Sequence, residues 1–146
     1  MKIALFAVSL LLLTGNALAD PQPWMRKDNP GELSVDTDVT EPCEISEQQL
    51  RETVEGVLTR SSITPIEFGE SPVWLGLQVN VDCLGTSMFA IRVDFVDAID
   101  LVAVRYGTVG YGSFGAHDGD SDVVLSGVTR QAKRAIADYL IANFDP

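Results

Sequence analysis

The middle of the chain alternates between apolar and polar residues with a period of two. Between Val73 and Cys83 every second residue is apolar, and the same alternation returns between Phe89 and Phe95. A third segment, residues 101–111, is rich in β-branched residues. Clean alternation is typical of an antiparallel sheet with one face on the core and one toward water. We therefore predict three antiparallel strands. The third strand has apolar residues at both its odd-numbered and its even-numbered positions, so the sequence does not show which of its faces is buried.

Two stretches with helical spacing flank these strands. Ser46 and Gln49 have the spacing of a capping box, in which each side chain satisfies a free backbone N–H. From Leu50 onward apolar residues recur at i, i+4, i+7 and i+8, which predicts a helix over residues 46–60 with one buried face. A second helix is predicted over residues 120–143. The order α-β-β-β-α predicts an α+β fold, a three-stranded antiparallel sheet with two helices packed on one face.

The N-terminus has the pattern of a secretory signal peptide over residues 1–19. Lys2 is positive, residues 3–13 are apolar, and an Ala-Leu-Ala sequence forms a small-x-small cleavage site. A retained membrane anchor is the alternative, although the apolar stretch is short for a span. Residues 20–44 are predicted to be a flexible acidic leader, because they hold prolines and scattered carboxylates without periodicity. A single α+β domain is expected over residues 45–146.

Cys43 and Cys83 are the only cysteines of the chain. An even pair behind a signal peptide indicates one disulfide in an oxidising compartment. A redox or metal site is the alternative, but the chain has no CxxC motif and a single histidine. The predicted localisation is therefore periplasmic or secreted, and the chain is not expected to be embedded in a membrane after signal cleavage.

The chain is strongly acidic, with 21 acidic and 10 basic residues and a net charge of −11. A surface of this charge repels nucleic acid and anionic membranes. The charge excludes nucleic acid as a partner and favours a basic protein or another protein of the cell envelope. It leaves the oligomeric state open.

Residues 107–122 are rich in glycine and precede the second predicted helix. Residues 108–112 spell TVGYG, the sequence of potassium-channel filters, which requires surrounding membrane helices. No apolar span follows the predicted signal, so a channel is excluded. The glycines match no phosphate-binding motif, and the acidic residues that follow would oppose an anion. Binding of a small molecule or a cation by residues 107–122 is retained as an alternative function.

Three aspartates in this region resemble the opening of a calcium loop: Asp118, Asp120 and Asp122. The rest of that pattern fails, because Val123 and Thr129 stand where the turn glycine and the bidentate glutamate belong. Capping of the second helix is the favoured interpretation. We predict no metal site and keep these aspartates as weak cation candidates.

Motifs for catalysis are absent from the sequence. It contains neither GxSxG nor HExxH, and its one histidine, His117, lies in the glycine-rich region and is expected to be solvated. No catalytic residue and no cofactor is predicted. A small hydrolase built on carboxylates is the second alternative, since acidic residues are abundant.

The polar side of the predicted sheet is the candidate interaction surface. Aromatic and arginine side chains concentrate binding energy at protein interfaces, and this side carries both beside amides and carboxylates. The alternative is that the tryptophan only covers a sheet edge or packs against the leader. The candidate residues are Trp74, Gln78, Asn80, Asp82, Arg92 and Asp94.

The chain resembles small secreted bacterial proteins. The resemblance rests on the signal pattern and on residues 73–81, 107–112 and 138–143. The resemblance covers about residues 46–144 and implies an exported single domain without transferring an activity. In architecture the domain is similar to periplasmic modules that bind envelope proteins, such as the amino-terminal domain of TolB. We therefore expect an exported, non-catalytic interaction protein of the periplasm.

Overall fold

The computed structural model of the protein describes residues 23–40, 43–68, 74–85, 87–97 and 110–144. The predicted signal peptide lies outside the described residues. A short 3-10 helix, Pro23–Met25, opens the described part. The elements that follow are β1 (Glu32–Thr40), α1 (Glu47–Arg60), β2 (Thr64–Glu67), β3 (Leu75–Leu84), β4 (Met88–Asp97), β5 (Tyr111–Ala116) and α2 (Ser121–Phe144).

The strands of the described residues form one mixed sheet of five strands in the order β2-β1-β3-β4-β5. β1 pairs in parallel with both β2 and β3, whereas β3, β4 and β5 form an antiparallel meander. The prediction of a three-stranded antiparallel sheet is therefore wrong, although the class remains α+β. The parallel pairs join strands that are far apart in sequence, and the alternation within a single strand carries no information about such pairing.

β1 is the strand that the sequence analysis missed. Its residues lie in the stretch for which we predicted a flexible leader, yet they occupy an interior position of the sheet, with Leu33 and Val35 fully buried. Val35 stands opposite Leu77 in the register with β3. The prolines and carboxylates around β1 resemble a disordered segment in composition, although the strand itself carries the period-two alternation that predicts a strand. β2 was missed as well, because it is short and contains Pro65.

β5 begins where the third predicted strand was expected to end. Residues 101–109 of that prediction lie outside the described residues, and residues 112–116, expected to be a glycine-rich loop, continue β5 from Tyr111. A Cβ on Gly115 would lie 3.0 Å from the Phe89 ring. A side chain at position 115 would therefore crowd the Phe89 ring, and the glycine that avoids this contact lowers the strand propensity that sequence analysis uses.

Both helices pack on the same face of the sheet, where their buried residues join one apolar core with the odd-numbered residues of the central strands. α1 begins at the predicted capping box, in which the Gln49 N–H donates to Ser46 Oγ (3.1 Å) and the Ser46 N–H donates to Gln49 Oε1 (2.9 Å). α2 approaches β4 closely at Gly127, where a Cβ would stand 2.7 Å from Ile91 Cδ1. The side chains of α1 predicted to be buried are confirmed: Leu50, Val54, Val57 and Leu58.

The segment before β1, residues 23–31, is fastened to the end of α2. Asn143 Nδ2 donates to the Met25 carbonyl (2.9 Å), and the Lys27 N–H donates to Asn143 Oδ1 (2.8 Å). Trp24 lies edge-on to Phe95 with ring centroids 5.8 Å apart. Burial lowers the pKa of Lys27 to about 8, against the raising effect of the Glu32 carboxylate. This segment is thus a packed part of the core layer.

The Cys43–Cys83 disulfide is confirmed, with a Cα–Cα distance of 5.3 Å. It joins the chain just before α1 to the end of β3. The loop it closes spans 40 residues, for which the chain-entropy model gives roughly 4 kcal/mol of stabilisation. Of the two helices in the described part of the chain, neither is long and apolar enough to cross a membrane.

Candidate functional site

The sheet has two faces of different character. Successive residues of a strand point to opposite faces, and the odd-numbered residues of β3 and β4, from Leu75 to Phe95, are buried toward the helices. We call this side the covered face. The even-numbered residues of β1, β3, β4 and β5 point the other way, and we call their side the open face.

Polar residues form three rows across the open face. Asp36, Gln78 and Asp94 share the first row, and Asp38, Asn80 and Arg92 share the second. The third row contains Thr40, Asp82 and Ala90. We call these three rows the polar rows, and they contain five of the six candidate interaction residues.

The polar rows are held by contacts between their own members. Gln78 Nε2 donates to Asp36 Oδ2 (2.8 Å) across the β3–β1 pair, and Thr40 Oγ1 donates to Asp82 Oδ1 (2.8 Å) across the same pair. On β4, Arg92 Nε lies 3.0 Å from Asp94 Oδ2. Hydrogen bonds and ion pairs of this kind fix side-chain orientation, so the open face presents defined groups.

Asn80 lies at the centre of the polar rows and has an unused donor. The residue is 8% exposed, and its Nδ2 has no hydrogen-bond partner. Buried polar atoms are bonded in the large majority of cases, so each exception requires an explanation. Its register neighbours are Asp38 on β1 and Arg92 on β4.

Trp74 lies just before β3 and is 37% exposed. The next even-numbered position, Gly76, is covered by the Phe68 ring, which approaches to 2.7 Å of the place a Cβ would take. Ser34 stands opposite Gly76 in the same row and is 1% exposed. This end of the open face is therefore shielded, and Trp74 stands at its margin.

The opposite end of the open face is apolar, and sequence analysis missed it. Leu84 is 70% exposed, Met88 is 49% exposed and Phe114 is 84% exposed. Leu84 stands opposite Met88, and Phe114 stands opposite Ala90 in the third polar row. We call Leu84, Met88 and Phe114 the apolar end. Leu84 and Met88 could have been found from the sequence, because they have the same even parity as the polar residues of β3 and β4. Phe114 could be placed only once β5 was known.

The loop before α2 caps that helix. Asp120 Oδ1 accepts a hydrogen bond from the Asp122 N–H (2.9 Å), as an N-cap side chain does. Asp118 has a positive φ of 45° and lies in the turn before Asp120. Among the described residues no group of three histidine, cysteine or acidic side chains is placed to hold a metal ion. The hydrogen bond to Asp120 favours the capping interpretation for that residue.

His117 is buried, contrary to the expectation that it is solvated. Its exposure is 2%, and its Nδ1 accepts a hydrogen bond from the Gly119 N–H (3.2 Å). The backbone N–H of His117 donates to the Ser87 carbonyl (3.0 Å), and this bond joins the end of β5 to the β3–β4 turn. His117 therefore has a structural role beside the apolar end.

Comparison with known proteins adds little to this geometry. No family model matches the chain, and no curated protein matches it. The chain is similar to a presumed lipoprotein of Caulobacter crescentus CB15, at 15% identity and a TM-score of 0.38, over 72% of this chain and 86% of that one. It is also similar to a minor lipoprotein of Acinetobacter baumannii, at 11% identity and a TM-score of 0.36, over 77% and 92% of the two chains. At these scores the similarity is a loose one, and neither function nor location follows from it.

Proposed function

We propose that this protein is an exported, non-catalytic interaction protein that binds a partner protein through its open face. The signal pattern of residues 1–19 and the Cys43–Cys83 disulfide support export to an oxidising compartment such as the periplasm. The observation that carries the proposal is the order of the polar rows. β3 and β4 bring five of the six predicted interaction residues into register on the side of the sheet opposite both described helices, and β1 adds a third strand of polar residues beside them.

The organisation of the polar rows suits recognition of a basic protein. Asp36, Asp38, Asp82 and Asp94 place four carboxylates on this face, whereas Arg92 is its one cation among the described residues of these rows. Charge complementarity then favours a partner with lysine or arginine side chains, and it raises the rate of encounter. Because the side chains are already oriented by their mutual hydrogen bonds, binding orders fewer of them and costs less conformational entropy.

The test is capture of the partner from the envelope fraction of the cells that make the protein. Asp82→Lys reverses a charge within the polar rows, and Trp74→Ala removes the aromatic group at their margin. Glu52→Lys makes the same change of net charge at an exposed position of α1 and is the matched control. We expect the wild type and Glu52→Lys to recover the same protein, and Asp82→Lys and Trp74→Ala to lose it.

Thermal unfolding of each variant accompanies the capture. All four proteins should unfold at nearly the same temperature, because substitutions at exposed positions change stability by only about 0.5 kcal/mol. Recovery of the same protein by Asp82→Lys as by the wild type would refute binding through the open face. If Trp74→Ala loses stability and capture together, Trp74 is structural. The result for Asp82→Lys then tests binding through the open face by itself.

A further inference from the structure

We infer that the open face takes a short segment of its partner that carries apolar side chains at one end and Lys or Arg side chains at the other. This inference rests on the proposed function and names the chemistry of the partner. The apolar side chains would lie on Leu84, Met88 and Phe114. The basic side chains would lie along the carboxylates of the polar rows.

The first step of the argument is the exposure of the apolar end. Phe114 leaves 84% of its surface in contact with solvent, and Leu84 and Met88 lie in the adjacent row of the same face. Single exposed apolar residues are common, but neighbouring large ones on one face mark an interaction site. An exposed aromatic side chain such as that of Phe114 is the kind of group that carries binding energy at an interface.

The second step is the rigidity of this end of the sheet. The Cys43–Cys83 disulfide fixes β3 one residue before Leu84. On the other side, the backbone N–H of His117 donates a hydrogen bond to the Ser87 carbonyl. This bond fixes the end of β5 to the start of β4. The apolar end therefore stands on backbone held from both sides. A rigid apolar surface binds with a smaller loss of conformational entropy than a mobile one.

The third step is the position of the charges. Asp82 lies in the row next to Leu84 and Met88, and Asp38 and Asp36 lie in the two rows beyond it. The open face thus changes from apolar to acidic along the strands. From residue 84 to residue 78 of β3 this distance is about 20 Å, which about four turns of helix or six extended residues would cover. A short segment is therefore long enough to reach both parts.

The same charges disfavour the other occupants of an apolar patch. An anionic lipid surface would meet the carboxylates of the polar rows, and a second copy of this chain would bring the same carboxylates and a further net charge of −11. A basic segment is attracted by the same groups. The charge pattern therefore selects a basic protein segment among the candidates that an apolar patch alone would allow.

The experiment measures binding of three synthetic 14-residue peptides to the purified protein by calorimetry. One peptide is built from leucine and lysine, one replaces the lysines by glutamate, and one replaces the leucines by serine. Phe114→Ser tests the apolar end, and Phe144→Ser makes the same substitution at an exposed position near the end of α2 as the matched control. Asp82→Lys and Glu52→Lys are the corresponding pair for charge.

We expect the leucine–lysine peptide to bind best and to bind Phe114→Ser and Asp82→Lys each at least about tenfold more weakly, a difference of 1.4 kcal/mol. Phe144→Ser and Glu52→Lys should bind as the wild type does. The inference is overturned if the wild type does not bind this peptide, if the leucine–glutamate peptide binds equally well, or if Phe114→Ser binds as tightly as Phe144→Ser.

Two further measurements separate the other occupants. Flotation with vesicles of phosphatidylcholine and phosphatidylglycerol, abolished by Phe114→Ser, would assign the apolar end to a membrane and overturn the inference. A dimer in sedimentation that Phe114→Ser dissociates would assign it to a second copy and also overturn it. A natural partner lost by Asp82→Lys but retained by Phe114→Ser would leave the proposed function standing and refute only this inference.

Discussion

The two faces of the sheet arise from one alternation along the same strands, yet they differ in what their side chains contact. On the covered face, Leu77 and Val79 have no exposed surface and pack in the core under the helices. On the open face, Gln78 and Asp82 bond to side chains of β1, and Phe114 is left in solvent. The comparison shows that parity within a strand separates residues that stabilise the fold from residues available to a partner.

Both faces hold buried polar atoms without a hydrogen bond, and Thr37 and Asn80 are one example from each. Thr37 is 4% exposed on the covered face, and its Oγ1 has no partner among apolar neighbours. Asn80 Nδ2 is in the same condition on the open face, where the register neighbours of Asn80 are Asp38 and Arg92. Neither atom is exposed to solvent. Each is therefore a cost to stability that a ligand cannot recover without a rearrangement of the fold.

The largest expected effect is on the covered face. Leu77→Ala should lower the free energy of unfolding by about 3 kcal/mol, because it removes buried methyl groups and leaves a cavity under the helices. Leu84→Ala, the same substitution at the exposed end of β3, should change it by no more than about 0.5 kcal/mol. Urea denaturation of both variants measures the difference. Equal losses would show that the two faces do not differ in their contribution to stability.

A smaller effect is expected from the unbonded hydroxyl. Thr37→Val should raise the free energy of unfolding by about 1 kcal/mol, since it removes a buried group that has lost its hydrogen bond to water without gaining another. Thr40→Val on the same strand is the control, because Thr40 Oγ1 donates to Asp82 on the open face. That control should be neutral or slightly destabilising in the same denaturation experiment. A loss of stability in Thr37→Val would contradict the assignment of this hydroxyl as unsatisfied.

The last effect is on the pH dependence of stability and concerns Lys27, which belongs to the segment packed against α2. Its pKa of about 8 in the folded protein lies below the ordinary value of 10.5, so between these values the unfolded chain binds a proton that the folded chain does not. Stability therefore rises with pH through this window, and the contribution is lost as pH falls through about 8. Lys27→Met should remove this rise, and Lys133→Met at an exposed position of α2 should retain it. Unfolding curves measured between about pH 8 and pH 10 decide between the two outcomes.

How far the fold could be predicted differs from strand to strand. β3, β4 and the capping box of α1 were predicted, because alternation and capping are local patterns that tertiary contacts reinforce here. β1 carries the same alternation in Leu33, Val35 and Thr37, but its acidic and proline-containing surroundings are typical of disorder. β5 could not be predicted, since glycines weaken strand propensity and the reason for Gly115 is its contact with the Phe89 ring.

The candidate site was predictable in part for a related reason. The even-numbered residues of β3 and β4 face one side by parity alone, so the neighbourhood of Asn80 and Arg92 followed from a hairpin. The contributions of Asp36 and Phe114 did not follow, because each reaches the open face on a strand that sequence analysis did not assign. When a strand from a distant part of the sequence joins the sheet, its side chains extend the open face. The alternation within β3 and β4 does not show which strands will join.

The sequence by itself determined the alternation that divides the sheet into two faces, the cap that starts α1 and the cysteine pair available for a disulfide. These depend on interactions between residues close in the chain or on residue type alone. Only the tertiary structure decided that β1 lies between β2 and β3, that the N-terminal segment packs on α2, and that Phe114 joins Leu84 and Met88 beside the acidic rows. The physical reason is that these pairings are chosen by the burial and hydrogen bonding of segments far apart in sequence, which compete only when the whole chain is folded.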